Sequence, residues 1–216
     1  MAKFPGADEF VPAKGSLSDL RVAEQECRGC DLYLNATQAV GGEGPARAHV
    51  MLVGEQPGDK EDRSGRPFVG PAGEVLNQAL ADAGIERDDV YVTNAVKHFK
   101  FEERGKRRIH KKPSVGETEA CKPWLWAELA RVKPAIIVCM GATAAHSVIG
   151  KSHRLLEQRG QFLEHAMAPL VTATVHPSAI LRAPDAERRR ADYEAFVEDL
   201  RAVKRERDKV VKRSTA

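Results

Sequence analysis

No apolar run in this 216-residue chain approaches the roughly 18 consecutive residues that a membrane-spanning helix requires. The opening stretch MAKFPGADEF lacks the apolar centre of a secretory leader, so a cytoplasmic protein is expected. Internal repeats and low-complexity linkers are also missing. That leaves one domain over residues 1–216 as the expectation, with a frayed tail from about residue 205. Charge of one sign is barely in excess: 34 Lys and Arg against 31 Asp and Glu give a net +3. What is there, 42% hydrophobic and 30% charged residues, is the balance of a globular chain able to build a full core.

The small net charge hides a concentrated one. From Lys97 to Lys112 there are eight Lys or Arg residues against two acids, Glu102 and Glu103. Within that stretch GKRRIHKKPS (105–114) sets Lys106, Arg107, Arg108, Lys111 and Lys112 around one histidine, His110. Clustered cations favour a polyanionic partner, although a solvated basic loop has the same composition. Charge alone gives no use for an imidazole that titrates near neutrality.

Cysteine is scarce and unevenly placed. Cys27 and Cys30 form a CxxC pair, whereas Cys121 and Cys139 are separated by 17 residues. In a reducing compartment four thiols point to a metal or cluster rather than to disulfides. Zinc and a [4Fe–4S] cluster both suit four thiolates, and the wide second pair departs from the usual zinc pattern toward iron–sulfur. Taken alone, Cys139 inside AIIVCM also reads as a small core residue.

Four β-branched apolar runs mark strands at 49–54, 89–96, 135–141 and 170–177, and helical patterns separate them. Residues 72–83 repeat apolar positions at helical spacing and stop at Gly84, and Ser114 with Glu117 forms a capping box for a second helix. A charged helix is expected from Glu187. Alternating strands and helices predict an α/β fold with a mainly parallel sheet covered on both faces. In such sheets ligands bind beyond the carboxyl ends of the strands. Glu55 and Gln56 of GEQPG, Asn94, and His176 of HPS stand there, together offering a carboxylate, amides and an imidazole. Phe68, in the loop GRPFVGPAGE, has no helical stripe to join and reads either as a stacking platform for a base or as a plug over the core. The helix start after Pro71 offers N–H groups to an anion.

GEQPGDKEDRSGRPFVGPAG, VTNAVKHFK, TVHPS and the cysteine spacing resemble the uracil-DNA glycosylase superfamily in its iron–sulfur branch, over about residues 27–181. GEQPG together with KRRIH is similar to the X-type subgroup, UdgX. The resemblance implies a three-layer α/β/α sandwich around a four-stranded sheet. It implies that Phe68 stacks on a flipped uracil and that Asn94, with Gln56, reads the base. His176 would support the departing base, with Ser178 of the HPS loop at the DNA. A [4Fe–4S] cluster on Cys27, Cys30, Cys121 and Cys139 would follow, as would a monomer acting on uracil-containing DNA with single strands preferred.

In the X-type subgroup the KRRIH histidine attacks C1′ and stays bonded. His110 would then be the nucleophile, Glu55 its orienting carboxylate, and Lys106, Arg107, Arg108, Lys111 and Lys112 a phosphate clamp. Lys97, His98 and Lys100 read as approaching the DNA backbone or as plain surface. Two other functions fit the same residues: a multiple-turnover glycosylase in which Gln56 or Glu55 directs water, and a non-enzymatic iron–sulfur protein that binds nucleic acid.

Overall fold

The computed structural model describes residues 4–215; positions 1–3 and 216 of the expected domain, and with them the start of the stretch read for a secretory leader, lie outside them. The strands are β1 (Val50–Gly54), β2 (Val90–Asn94), β3 (Phe101–Arg104), β4 (Arg107–His110), β5 (Ile136–Met140), β6 (Leu163–His165) and β7 (Ala168–Thr174). The helices are α1 (Leu17–Glu24), α2 (Asp59–Ser64), α3 (Pro71–Asp82), α4 (Val115–Val132), α5 (Ala142–Val148), α6 (Leu155–Gln158), α7 (Pro177–Leu181) and α8 (Ala186–Thr215). α8 stays helical through the stretch where the sequence predicts a frayed tail. No helix among the described residues is long and apolar enough to cross a membrane.

The main sheet has the order β2-β1-β5-β7-β6. The four strands expected from the sequence pair in parallel, and the short β6 adds an antiparallel edge against β7. The sheet therefore has five strands rather than four. Alternation along β1 sorts the core into two layers. Met51 and Val53 face the side holding α1 and α4, whereas Val50 and Leu52 face the side holding α3 and α8.

Local chemistry sets the helix limits. Ser114 Oγ accepts from the Glu117 N–H at 3.2 Å while Glu117 Oε2 accepts from the Ser114 N–H at 2.6 Å, which starts α4. α3 starts on Pro71 and runs out at Gly84, where φ is +71°. The N-terminal segment packs on α4, with the Ala7 N–H donating to the Ala120 carbonyl at 2.9 Å.

β3 and β4 form a separate antiparallel hairpin closed by Gly105 (φ +60°) and Lys106. The basic stretch is thus largely a hairpin rather than a loop. Cross-strand partners Phe101 and His110, and Glu103 and Arg108, share one face; Ile109 and Arg107 share the other.

Candidate active site

The carboxyl ends of β1 and β2, the start of α7 and the hairpin enclose a cleft of about 440 Å³, within the ~300–1,000 Å³ range of small-ligand sites. Gln56, Phe68, Asn94, His110, His176 and Ser178 all line it.

Asn94 ends β2 beside Gly54, the last residue of β1. A Cβ at Gly54 would lie 2.4 Å from Asn94 Oδ1 and 2.6 Å from Phe68 Cζ, so only glycine lets both side chains enter. Asn94 Oδ1 is buried and accepts no hydrogen bond among the described residues. Buried acceptors are normally satisfied, so an unpaired one on a cleft wall awaits a donor. Phe68 adopts φ +55°, and its carbonyl presses so closely on Gly73 that a Cβ there would overlap it at 1.8 Å. This turn lays the Phe68 ring 5.9 Å from that of His176. Just ahead of α3, the Gly70 N–H donates to Glu61 Oε1 at 2.7 Å.

His176 caps α7. Its Nδ1 accepts from the Ser178 N–H at 3.2 Å and lies 2.8 Å from Ser178 Oγ. With Nδ1 accepting, the proton of the neutral ring sits on Nε2. Burial, helped by Arg182 and His110, pulls the His176 pKa down to about 4, so the ring is a neutral donor at physiological pH. Ser178 thereby orients His176.

His110, the last residue of β4, is about half exposed, and its Nε2 lies 3.8 Å from Glu55 Oε1. The other Glu55 oxygen accepts a short hydrogen bond from Thr143 Oγ1 on α5, a residue that carried no signal in the sequence. Burial, opposed by Glu55 and assisted by Arg182, holds the His110 imidazole below its ordinary pKa. Nε2 is the ring nitrogen turned toward Glu55.

The cations around His110 divide. Arg108, only 13% exposed, forks onto Asp59 and the fully buried Asp62 of α2, at 2.7 Å for Asp62. Its guanidinium also lies 4.9 Å above the Phe101 ring. Lys111 pairs with Glu102. Lys106, Arg107 and Lys112 carry no ion pair among the described residues, so three of the five expected clamp residues are unengaged. Gln56 is likewise committed. Its Nε2 donates to the carbonyls of Lys100 (3.2 Å) and Lys111 (3.1 Å), and its Oε1 accepts from the Lys100 N–H at 3.2 Å. Arg108 and Gln56 together fasten the hairpin that presents His110.

VKHFK is not a surface segment. Lys97 and His98 are 1% and 5% exposed. Lys97 Nζ donates to Glu128 Oε2 and Thr93 Oγ1, both at 2.7 Å, and to the Asn94 carbonyl at 3.0 Å. Burial alone would lower its pKa; the surrounding acidic groups, Glu128 first, together outweigh this and keep it raised. Nearby Glu24 is pushed up to about 8 by burial, and its carboxylate has no hydrogen-bond partner among the described residues. Lys100 pairs with Glu117 at 2.8 Å.

All four cysteines are free and buried. Cys27, Cys30 and Cys121 lie close enough to feel one another's charge. Trp124 Nε1 donates to Cys27 Sγ and the Lys97 N–H donates to Cys121 Sγ, each at 3.2 Å. Donors aimed at sulfur suit metal-bound thiolates, so these three fit an iron–sulfur group. Cys139 stands apart, between Val53 of β1 and Ala173 of β7, its thiol pushed up by burial alone. Among the described residues no three His, Cys, Asp or Glu side chains converge closely enough to hold a single metal ion.

Residues 42–201 match the family model described as the uracil DNA glycosylase superfamily. The chain is similar to a type-4 uracil-DNA glycosylase of Thermotoga maritima, 37% identical over 183 residues that cover 84% of this chain and 92% of that one. A type-4 enzyme of Archaeoglobus fulgidus is 34% identical over 187 residues, covering 83% and 89%. A type-5 uracil-DNA glycosylase of Pyrobaculum aerophilum is 30% identical over 157 residues, covering 63% and 64%.

Proposed function

We propose, for a chain that belongs to the uracil-DNA glycosylase superfamily, that it excises uracil from DNA and is then captured on the sugar through His110, as in the X-type subgroup. The observation that carries this reading is the His110 Nε2 facing Glu55 across 3.8 Å at the mouth of the cleft.

The target bond is inaccessible inside a stacked duplex, so the nucleotide enters the cleft flipped, and single-stranded DNA is the cheaper substrate. Phe68 stacks on the base. Uracil presents an N3–H to the unpaired Asn94 Oδ1; cytosine presents a lone pair there and is rejected. When the N1–C1′ bond breaks, its electron pair leaves with the base and spreads onto O2, where the His176 Nε2–H donates. Placing a fixed donor where charge develops is worth about 2.7–4 kcal/mol.

The cation left at C1′ faces Glu55, whose charge favours it and whose position Thr143 fixes. His110 Nε2 then gives its lone pair to C1′, forming a new N–C1′ bond, while uracil takes a proton from solvent. The imidazolium so formed loses its Nδ1 proton. A substituted imidazole is a far poorer leaving group than uracil, so the link persists. Lys106, Arg107 and Lys112 hold the flanking phosphates. An iron–sulfur cluster on Cys27, Cys30 and Cys121 would cross-link the N-terminal segment to α4, a structural role. The protein acts as a cytoplasmic monomer built as one domain.

The relatives' name favours a second reading, a multiple-turnover glycosylase using water. The Gln56 amide, spent on the hairpin backbone, is poorly placed to direct that water. Incubation with single-stranded uracil-containing DNA followed by a denaturing gel separates the two. A band shift that survives SDS and heat supports capture; free abasic DNA formed over many turnovers supports water.

A further inference from the structure

We infer that the fourth ligand of the iron–sulfur group is the imidazole of His98, and that Cys139 takes no part. This rests on the cluster reading above and replaces one member of the cysteine set that the sequence suggested.

Cys139 is fixed by its strand. β5 runs between β1 and β7, with Cys139 in register with Val53 and Ala173. Its side chain is fully buried in the apolar layer with Met51, Ile137 and Val171. Reaching a group shared with Cys27 and Cys30 would mean displacing close-packed core or breaking two strand ladders. The strand position thus gives Cys139 a complete role as a core residue.

His98 is placed differently. It directly follows Lys97, whose N–H touches Cys121 Sγ. The charge of Arg28, between Cys27 and Cys30, reaches it. It therefore follows the residue that contacts Cys121 and feels the charge of the CxxC segment's Arg28. It is buried, yet neither ring nitrogen makes a hydrogen bond among the described residues. A buried imidazole ordinarily bonds at one or both nitrogens.

The nearby carboxylate, Asp62, already accepts from the Thr37 N–H and from Arg108. A free lone pair in the segment that contacts Cys121 is a vacant ligand position. Imidazole does replace thiolate on iron–sulfur centres, where it raises the reduction potential.

The test uses the full chain purified without oxygen. Iron and sulfide per chain, visible charge-transfer absorption, and pulsed EPR of the reduced protein labelled with 15N-histidine are measured for wild type, His98→Ala, His98→Cys and Cys139→Ala. The inference predicts a nitrogen coupling in the wild-type spectrum. It predicts loss of iron in His98→Ala, and retained iron with the coupling lost and a lower reduction potential in His98→Cys. Cys139→Ala should keep wild-type iron and spectrum.

A wild-type cluster without nitrogen coupling overturns the ligand assignment alone, even if the core variant fails to fold. Iron lost in Cys139→Ala but kept in His98→Ala overturns it as well. Wild-type protein free of iron and sulfide overturns the cluster reading itself.

Discussion

Asn94 and His176 stand on a strand end and a helix cap, held by the sheet and by backbone hydrogen bonds. His110 stands at the end of a two-stranded hairpin outside that sheet, held by side chains: Arg108 on Asp59 and Asp62, Gln56 on the hairpin backbone, and Lys100 on Glu117. The half of the cleft that receives the base is therefore built into the fold. The half that captures the sugar is an attachment with its own fastenings. Expelling uracil and bonding the sugar should be separable by mutation.

The largest separation is expected from His110→Ala. Heat-stable adduct should fall at least ~100-fold while uracil release continues, since Asn94 and His176 are untouched. Asn94→Ala or His176→Ala should instead lower release and capture together, by ~10²–10³ in single-turnover rate. Arg108→Ala should loosen the hairpin, because misplacing a reacting group by about 1 Å costs ~100-fold. Capture should fall more than release, and the uncompensated Asp62 should cost ~3–5 kcal/mol in denaturant unfolding. Gln56→Ala, losing neutral hydrogen bonds worth ~1 kcal/mol each, should show the same bias more weakly.

Acid should divide the two halves without mutation. The His110 pKa is lowered from its ordinary 6.5, and the ring is nucleophilic only while unprotonated. Capture should hold at neutrality and fail as pH drops through that lowered value. His176 stays neutral to about pH 4. Between the two, free abasic DNA should replace adduct on the gel. Stability follows the same signs: a depressed His176 pKa contributes stability that is complete above about 6.5 and lost as pH falls through about 4. Glu24 works the other way. Its raised pKa gives stability that is full below about 4.5 and lost as pH rises through about 8, and Glu24→Gln should remove that alkaline loss.

The base-receiving half was largely legible in the sequence. Its strands are apolar runs, its helices carry caps, and Asn94 and His176 stand out as polar residues at strand ends, as does Phe68 as an aromatic in a polar loop. The capturing half was legible as chemistry but not as structure. FEER and RRIH are four-residue strands with charges on both faces, so no apolar alternation marks them, although the two-residue Gly105–Lys106 turn was a signal. Arg108 read as a free cation because Asp59 and Asp62 lie 49 and 46 residues away. Lys97 read as surface because its partner Glu128 is 31 residues on. Neither composition nor spacing carries such pairings. The fifth strand, three residues long, leaves no periodic trace.

The central claim is the bond between His110 and the sugar. Mass spectrometry of protease-digested protein after reaction with a short single-stranded uracil oligonucleotide tests it directly. The account predicts one modified peptide, the one containing His110, heavier by the oligonucleotide less uracil and fragmenting to place the link on that imidazole. Unmodified His110 peptide alongside abasic DNA in molar excess over protein would contradict it.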